Sequence, residues 1–391
     1  MTTKNSKVPY IVFGQPVFDK AETAAVVNTL KSRWIGTGPQ TMQFEKSFAH
    51  YVNAPYASAV NSCTAALHLT LEALDLPEGA EVITSAMTFC ATANAIIHAG
   101  CVPVLCDVDP VSKNITPENI LKKITKKTRA ILPVHFAGFP CDMKAICALA
   151  KKKKLFVIED CAHAVETTID GRHAGTWGDF GCFSFYVTKN ITTAEGGMVV
   201  TSHKALDERI RILALHGMDK DAWKRFSDKG FKHYEVIFAG YKYNMTDLQA
   251  CLGLVQLAKI EKFKKQRIKL WNVYQKQLQG LACTLPQLST KTEGEHARHL
   301  FCIEVDPKLM GGKTRDQVIN ELHALGIGTG VHYQALNLHP YYQKVYGYKR
   351  GDFPVAENYG ARTISLPFSP GLTTAQVERI VHACRKVLKI M

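Results

Sequence analysis

The 391-residue sequence lacks the features of several protein classes. No apolar run approaches the ~20 residues of a transmembrane helix. The N-terminal segment MTTKNSKVPYIVFG lacks the apolar core of a signal peptide. None of the twelve cysteines forms a C-x-x-C pair, and Cys63, Cys101 and Cys182 are among those set in small or apolar surroundings. These absences predict a cytoplasmic protein that spans no membrane and whose cysteines are reduced and buried.

Two glycine-rich segments lack a residue that nucleotide-binding loops require. GGKT (311–314) would need a glycine at the position of Pro307, and GIGTG (326–330) lacks the last glycine of a dinucleotide fingerprint. We interpret both segments as turns. His296 and His299 have the spacing of metal ligands, but no cysteine or carboxylate group accompanies them, so we predict no metal site.

Negative charge is scarce relative to positive charge, and the formal net charge is +14. Three basic runs (122–129, 151–154 and 259–269) carry much of it, and each is typical of the solvated face or end of a helix. A basic field attracts phosphate-bearing ligands and also binds nucleic acid weakly. The sequence contains no zinc finger, no RNA-recognition signature and no interleaving of basic with aromatic residues, so we expect no nucleic-acid partner.

Short apolar runs alternate with helical patterns between residues 55 and 205. The predicted strands are 56–60, 81–86, 102–108, 129–138, 155–160, 182–186 and 197–202. Runs that are apolar on both faces and separated by helices predict an α/β fold with a doubly wound, mainly parallel sheet. A long basic helix is predicted from Asp247 to Leu281, followed by an α+β unit that includes a strand-like run at 330–336. We therefore predict a large domain with an N-terminal arm (1–250) and a connecting helix with a smaller C-terminal domain (251–391).

Chemically distinct groups follow four of the predicted strands, and such sheets bind ligands at the carboxyl ends of their strands. Lys189 follows one strand and precedes the turn Glu195-Gly196-Gly197, and Asp160 ends another. The small polar residues 61–64 open a helix, and Phe89 follows a fourth strand. Each feature alone has an ordinary explanation as an exposed lysine, a helix cap or a core aromatic. Together, a lysine, a carboxylate, a helix N-terminus and an aromatic face are the groups that bind pyridoxal 5'-phosphate (PLP).

With these residues in place, the sequence resembles the DegT-type nucleotide-sugar aminotransferases, which are fold-type-I PLP enzymes, over nearly its full length. The matching segments are WIGTGPQTMQFE (34–45), NSCTAALHL (61–69), MTFCATANAI (87–96), PVHFAG (133–138), VIEDCAHA (157–164), SFYVTKNITTAEGGMVV (184–200), GYKYNMTD (240–247) and GVHYQAL (330–336). In combination these segments are specific, whereas each one alone is not.

The resemblance implies a role for each matching residue. Lys189 would form a Schiff base with the cofactor and shuttle protons, and Asp160 would hold the pyridine nitrogen. The other implied cofactor contacts are those of Phe89 and His163 with the ring, and of the Cys63 and Thr64 amides, the Ser184 hydroxyl and Asn244 of the partner subunit with the phosphate. Tyr186, His332 and Tyr333 would line the sugar-nucleotide side. The family thus implies a homodimer with shared active sites.

The activity implied by the resemblance is transfer of the amino group of L-glutamate to a 4-keto nucleotide sugar, for amino-sugar biosynthesis. Segments 240–244 and 326–333 resemble enzymes that aminate a UDP-4-keto-pentose. Tyr186 stands where the family often has histidine, and Val165-Glu166 where a glycine usually follows Ala-His-Ala, so the sugar and this loop stay open.

Three alternatives stay open as well. They are amination at C3, a PLP-dependent sugar dehydratase, which carries histidine at the position of Lys189, and a non-catalytic regulator with the PLP fold. Nucleotide contacts are expected from the variable loop 216–238.

Overall fold

The computed structural model describes residues 9–219, 234–288 and 294–390. The helices in these ranges are α1 (Lys20–Ser32), α2 (Pro39–Val52), α3 (Cys63–Ala73), α4 (Cys90–His98), α5 (Pro117–Leu121), α6 (Met143–Lys153), α7 (Lys204–Leu213), α8 (Asp247–Ala258), α9 (Ile260–Gln277), α10 (Arg315–Ala324), α11 (Pro340–Tyr346), α12 (Pro354–Arg362) and α13 (Thr374–Val387). The strands are β1 (Tyr56–Val60), β2 (Glu81–Ser85), β3 (Val102–Cys106), β4 (Thr128–Leu132), β5 (Phe156–Asp160), β6 (Thr168–Ile169), β7 (Arg172–His173), β8 (Phe180–Ser184), β9 (Gly197–Thr201), β10 (Cys283–Thr284), β11 (Phe301–Val305) and β12 (Thr363–Leu366).

A seven-stranded sheet forms the centre of the fold, with the strand order β1-β9-β8-β5-β4-β2-β3. Strand β9 is antiparallel to both of its neighbours, and the pairings from β8 through β5, β4 and β2 to β3 are parallel. The strands are buried along most of their length because helices cover both faces of the sheet. The α/β class and the mainly parallel sheet predicted from the sequence are confirmed.

The sheet brings the predicted strand ends to one edge. Strands β1, β2, β5 and β8 point in the same direction. Strand β9 lies between β1 and β8 and is antiparallel to both, so β1 and β8 are parallel to each other. The segments that follow these strands therefore leave the sheet at its carboxyl edge. Strand β9 begins at the same edge with Gly197, which pairs with Val60 at the end of β1.

A second, three-stranded antiparallel sheet (β10-β11-β12) packs with α9, α10 and α13 around a separate buried cluster. Trp271, Phe301 and Phe368 form its aromatic centre. Residues of the C-terminal half also enter the core of the large sheet, as Cys302 and Tyr359 do. The domain boundary at residue 250 stays a prediction.

Two local predictions differ from the structure, and one strand was not predicted. The long helix predicted from Asp247 to Leu281 is two helices, α8 and α9, which meet at Lys259. The Lys259 ammonium lies 2.7 Å from the Glu22 carboxylate and 2.9 Å from Asp19, so the junction is tied to the start of α1. The run 330–336 forms an isolated bridge at Gly330 followed by a short 3-10 turn, and β12 provides the strand that the sequence reading missed.

The helices of the described residues are too short or too polar to cross a bilayer. None of those in residues 9–219, 234–288 and 294–390 combines the length and the apolar character that a membrane crossing needs.

Candidate active site

A cavity of about 450 Å³ opens at the carboxyl edge of the large sheet. It is lined by ten of the eleven predicted site residues: Cys63, Thr64, Phe89, Asp160, His163, Ser184, Tyr186, Lys189, His332 and Tyr333. These residues come from five separate segments of the chain, so their proximity is a property of the fold. The remaining predicted residue, Asn244, does not line this cavity.

Lys189 lies in the loop between β8 and β9, with its backbone N–H donating to the Tyr186 carbonyl at 2.9 Å. Its side chain lines the cavity. Burial lowers the pKa of the Lys189 amine to about 8, against weaker opposing effects of the Cys63 thiol and the Asp160 carboxylate. An amine with this pKa can gain or lose a proton near neutral pH, as acid–base chemistry requires.

Asp160 is the last residue of β5 and is buried, with 4% of its surface exposed. One carboxylate oxygen accepts from the Thr92 hydroxyl at 2.8 Å, and the other accepts from the Ala162 N–H at 3.1 Å. Burial raises the pKa of the Asp160 carboxyl despite these two donors. A carboxylate in this position is stabilised by a cation that enters the cavity beside it.

Thr92 was not predicted from the sequence. Because its hydroxyl hydrogen is donated to Asp160, the Thr88 hydroxyl, 2.8 Å away, must donate to the Thr92 oxygen. Thr88 precedes α4 and Thr92 lies in its first turn, and together they fix the carboxylate. Their role was not apparent from the sequence, because Asp160 lies 68 residues away from Thr92 along the chain.

The start of α3 provides a binding surface for an anion. Ser62 caps the helix by accepting from the Ala65 N–H at 3.1 Å, whereas the N–H groups of Cys63 and Thr64 have no acceptor within the helix. Gly197 keeps this approach open, because a Cβ at that position would lie 2.5 Å from the Ser62 carbonyl carbon. A glycine is therefore required where β9 passes the helix N-terminus.

His163 is held in one tautomer by its neighbours. Its Nδ1 accepts from the Ala137 backbone N–H at 3.2 Å, so the ring proton resides on Nε2, which lies 3.1 Å from the Tyr333 hydroxyl. Burial lowers the pKa of His163 well below its usual range, with Lys189 and His299 adding to the effect. The imidazole is therefore neutral and adds no positive charge to the cavity wall.

His332 and two exposed aromatic side chains complete the wall. His332 Nδ1 lies 2.7 Å from the Ser365 hydroxyl, and burial lowers the pKa of its imidazole to about 3. Phe89 is 57% exposed although it lies next to buried residues, and its ring is 5.8 Å from that of Tyr333. Tyr186 is 44% exposed. Phe89 therefore contributes a free aromatic face to the cavity and is not a core residue.

Asn244 lies beside the cavity and not in its wall. Its backbone pairs with Val60 at the end of β1, and its side-chain amide donates to the Thr37 hydroxyl at 2.6 Å. The loop that contains Thr37, between α1 and α2, also carries Trp34 and Ile35, which are 50% and 48% exposed. Asn244 thus belongs to a surface with exposed apolar residues. The predicted nucleotide loop, 216–238, lies mostly outside the described residues.

The strongest grouping of potential metal ligands in the described ranges is a buried trio formed by His135, Glu159 and Cys161. Glu159 accepts three backbone N–H groups and lies 3.0 Å from His135 Nε2. Because His135 Nδ1 accepts from the Cys141 N–H, its Nε2 carries the proton and donates to Glu159. The ring nitrogens of His135 and the carboxylate oxygens of Glu159, which could bind a metal, are therefore used in internal hydrogen bonds. His296 Nδ1 accepts from the Arg298 backbone N–H, whereas His299 Nδ1 bonds to Asn190 Oδ1, so the two rings have different partners.

The residues of the cavity fit PLP on three independent observations. The buried Asp160 carboxylate matches a ring nitrogen that carries a proton, and the free N–H groups at the start of α3 match a phosphate. The Lys189 amine reaches the same cavity, as an aldehyde partner requires. Thr188 and Glu195 also line the cavity and were not predicted as site residues.

The pKa of Lys189 predicts its reactivity in the cofactor-free protein. Acylation of Lys189 by a small acylating reagent, followed by mass spectrometry, should be half-maximal near pH 8, because burial favours loss of the ammonium proton at a lower pH than the 10.5 of an ordinary lysine. The exposed lysines of the run 151–154 serve as internal controls. A Lys189 midpoint near 10.5 would contradict the effect of burial.

Comparison with known proteins identifies the family. Residues 16–385 match the DegT/DnrJ/EryC1/StrS aminotransferase family. The chain is 46% identical over 390 residues to the spore coat polysaccharide biosynthesis protein SpsC of Bacillus subtilis, covering 99% of this chain and 98% of that protein.

Solved structures agree with this match. The Streptococcus pneumoniae protein Spr1654 in its PMP-form has a TM-score of 0.88 and 32% identity, with 97% of each chain covered, and it has also been solved in a PLP-form. Helicobacter pylori PseC, an aminotransferase involved in the biosynthesis of pseudoaminic acid, has a TM-score of 0.89 and 27% identity, covering 97% of this chain and 99% of that one. The predicted fold type and the predicted cofactor of the family, PLP, are confirmed. The chain belongs to the DegT/DnrJ/EryC1/StrS aminotransferase family.

Proposed function

We propose that the protein transfers the amino group of L-glutamate to the keto group of a nucleotide sugar, at C4 of the sugar. The observation that carries the proposal is the meeting of Lys189 and Asp160 in one cavity at the carboxyl edge of the sheet, in a chain of the aminotransferase family. L-Glutamate follows from the resemblance to the family, and C4 follows from the resemblance of segments 240–244 and 326–333 to 4-keto-sugar enzymes. The cytoplasmic location predicted from the sequence is part of the proposal.

Asp160 and Lys189 have different roles in the proposed reaction. When bound, PLP supplies a cationic ring that takes up the electron pair left at the amino-acid Cα. Asp160 holds the ring nitrogen in its protonated form, and that cation in turn favours the ionised carboxylate that burial disfavours. Lys189 Nζ accepts the Cα proton of the donor and returns a proton in the reverse direction, which its pKa of about 8 allows.

Two observations support a sugar as the acceptor. The relatives SpsC and PseC are described as proteins of spore coat polysaccharide and pseudoaminic acid biosynthesis. In this chain the cavity wall includes Tyr186, His332 and Tyr333, which are polar aromatic groups that can stack on and hydrogen-bond to a sugar. The presence of Lys189 argues against a sugar dehydratase, in which histidine stands at this position.

We further propose that the active protein is a homodimer in which Asn244 reaches the cofactor phosphate of the partner subunit. Leu30, Trp34 and Met42 are exposed by 52%, 50% and 68% on α1, on the following loop and on α2. These exposed side chains precede and follow Thr37 along the chain, and the Thr37 hydroxyl accepts from the Asn244 amide. A second copy of the chain would cover these apolar side chains.

The transfer itself is tested with isotope-labelled donor. PLP-loaded protein incubated with L-[15N]glutamate and a panel of 3-keto and 4-keto nucleotide sugars should produce a 15N-labelled amino sugar from a 4-keto substrate, detected by mass spectrometry. Lys189→Ala should lower the rate by at least about 1,000-fold, because proton transfer and covalent attachment are both lost. Label incorporation only from 3-keto substrates would move the reaction to C3, and no incorporation from any of them would contradict the proposal.

Subunit sharing is tested by complementation. Lys189→Ala and Asn244→Ala are each expected to be nearly inactive alone, whereas their co-expressed mixture should regain about a quarter of the wild-type activity. Half of the dimers are then mixed, and each mixed dimer contains one intact site. If Asn244 served the site of its own subunit, mixing would restore no activity.

A further inference from the structure

Glu166 is a buried carboxylate that the mechanism above does not use. It is the second residue after Ala-His-Ala, in the pair Val165-Glu166 that stands where the family usually has glycine, and only 1% of its surface is exposed. Burial raises the pKa of its carboxyl, and Arg267 and Asn190 oppose that shift. A carboxylate in this environment is costly unless its partners hold it in place.

The partner of Glu166 is the residue next to Lys189. The Asn190 side-chain N–H₂ donates to Glu166 Oε2 at 2.6 Å and to the Ala297 carbonyl at 3.0 Å. Since both amide hydrogens point to acceptors, the amide orientation is fixed and Asn190 Oδ1 must accept. It accepts from His299 Nδ1 at 2.9 Å, which places the ring proton of His299 on that nitrogen.

Arg267 of α9 completes the arrangement. Its Nη2 donates to the Asn190 backbone carbonyl at 3.3 Å, and its Nη1 lies 3.8 Å from Glu166 Oε1. Asn190 is thus held through its side chain and its backbone by groups from three separate segments of the chain. Adjacent residues share a peptide unit, so a fixed Asn190 restricts the backbone from which the Lys189 side chain extends.

The same arrangement reaches the wall of the cavity. The His299 ring packs against that of His163, with ring centroids 4.4 Å apart and an angle of 35° between the planes. His163 in turn contacts Tyr333 through Nε2. We therefore expect a change at Glu166 to affect the Lys189 segment through the hydrogen bond between Glu166 and Asn190. The same change would affect the imidazole of His163 in the cavity wall through His299.

We propose that Glu166 is a positioning residue that orients the Lys189 segment through the amide of Asn190. The inference rests on the proposed role of Lys189, and it assigns a function to the residues that replace the usual glycine after Ala-His-Ala. Glu166 does not line the cavity, so its effect on the reaction is transmitted and not direct. Misplacement of a reacting group by a small distance is sufficient to impair binding and chemistry.

The test compares Glu166→Leu, which removes the acceptor, with Glu166→Gln, which keeps an oxygen for Asn190. Each cofactor-free variant is titrated with PLP well below its unfolding temperature, and the visible absorbance band of the lysine-linked cofactor gives the affinity. Glu166→Leu should bind PLP at least about tenfold more weakly, and Glu166→Gln should retain the wild-type affinity. In Glu166→Leu the midpoint of Lys189 acylation should also move above the wild-type value of about 8, since a looser segment is less buried.

The chain provides a matched control in Glu357. This buried carboxylate accepts from the Asn337 amide at 2.7 Å, and neither residue lines the cavity. Glu357→Leu should lose thermal stability but keep the PLP affinity and the Lys189 midpoint of the wild type. If Glu357→Leu lost as much affinity as Glu166→Leu, the effect would be one of general stability and the inference would be overturned.

The remaining outcomes separate this inference from the proposed function. No lysine-linked band in the wild-type protein would contradict the role of Lys189 itself. A wild-type band together with unchanged affinity and midpoint in Glu166→Leu would overturn the positioning role alone. Should Glu166→Leu fail to fold, Asn190→Ala leaves Glu166 paired with Arg267 and should show the same tenfold loss, and wild-type affinity in that variant would overturn the inference.

Discussion

The site depends on one buried carboxylate. Asp160 ends a strand in the middle of the large sheet, where burial disfavours its charge and the Thr92 hydroxyl and the Ala162 N–H donate to its two oxygens. The free energy cost of such a group falls when a cation lies beside it, and the cavity opens at that point. The same burial lowers the pKa of the Lys189 amine to about 8. Burial thus has two effects: the Asp160 carboxylate requires a cation beside it, and the Lys189 amine is partly neutral near physiological pH.

The sheet topology explains why these groups meet. Because β9 is antiparallel to both β1 and β8, those two strands are parallel to each other. The segments that follow β1, β2, β5 and β8 therefore leave the sheet at the same edge. Each strand contributes a different group: the α3 N-terminus, the Phe89 ring, the Asp160 carboxylate and the loop with Lys189. The neutral imidazole of His163, fixed by the Ala137 N–H, provides a wall without adding a charge that would compete with the cofactor.

Much of this arrangement could be predicted from the sequence, because apolar runs end at chemically conspicuous residues such as Asp160. The contacts of Thr92 and Glu166 could not, since their meaning depends on which distant residues the fold brings near them. The break between α8 and α9 is another such case: the sequence is continuously helical there, and the ion pairs of Lys259 with Asp19 and Glu22 appear only in three dimensions. The strand β12 is short, and its pairing with β11 is set by packing and not by its own pattern.

Covalent mapping of the cofactor tests the central claim most directly. Protein loaded with PLP is reduced with borohydride, digested and analysed by mass spectrometry, so that the lysine bound to the cofactor keeps the added mass. We predict that this mass resides on the peptide containing Lys189 and is absent from the peptides of the basic runs 122–129 and 151–154. Attachment at another lysine, or no attachment in protein that has bound PLP, would contradict it.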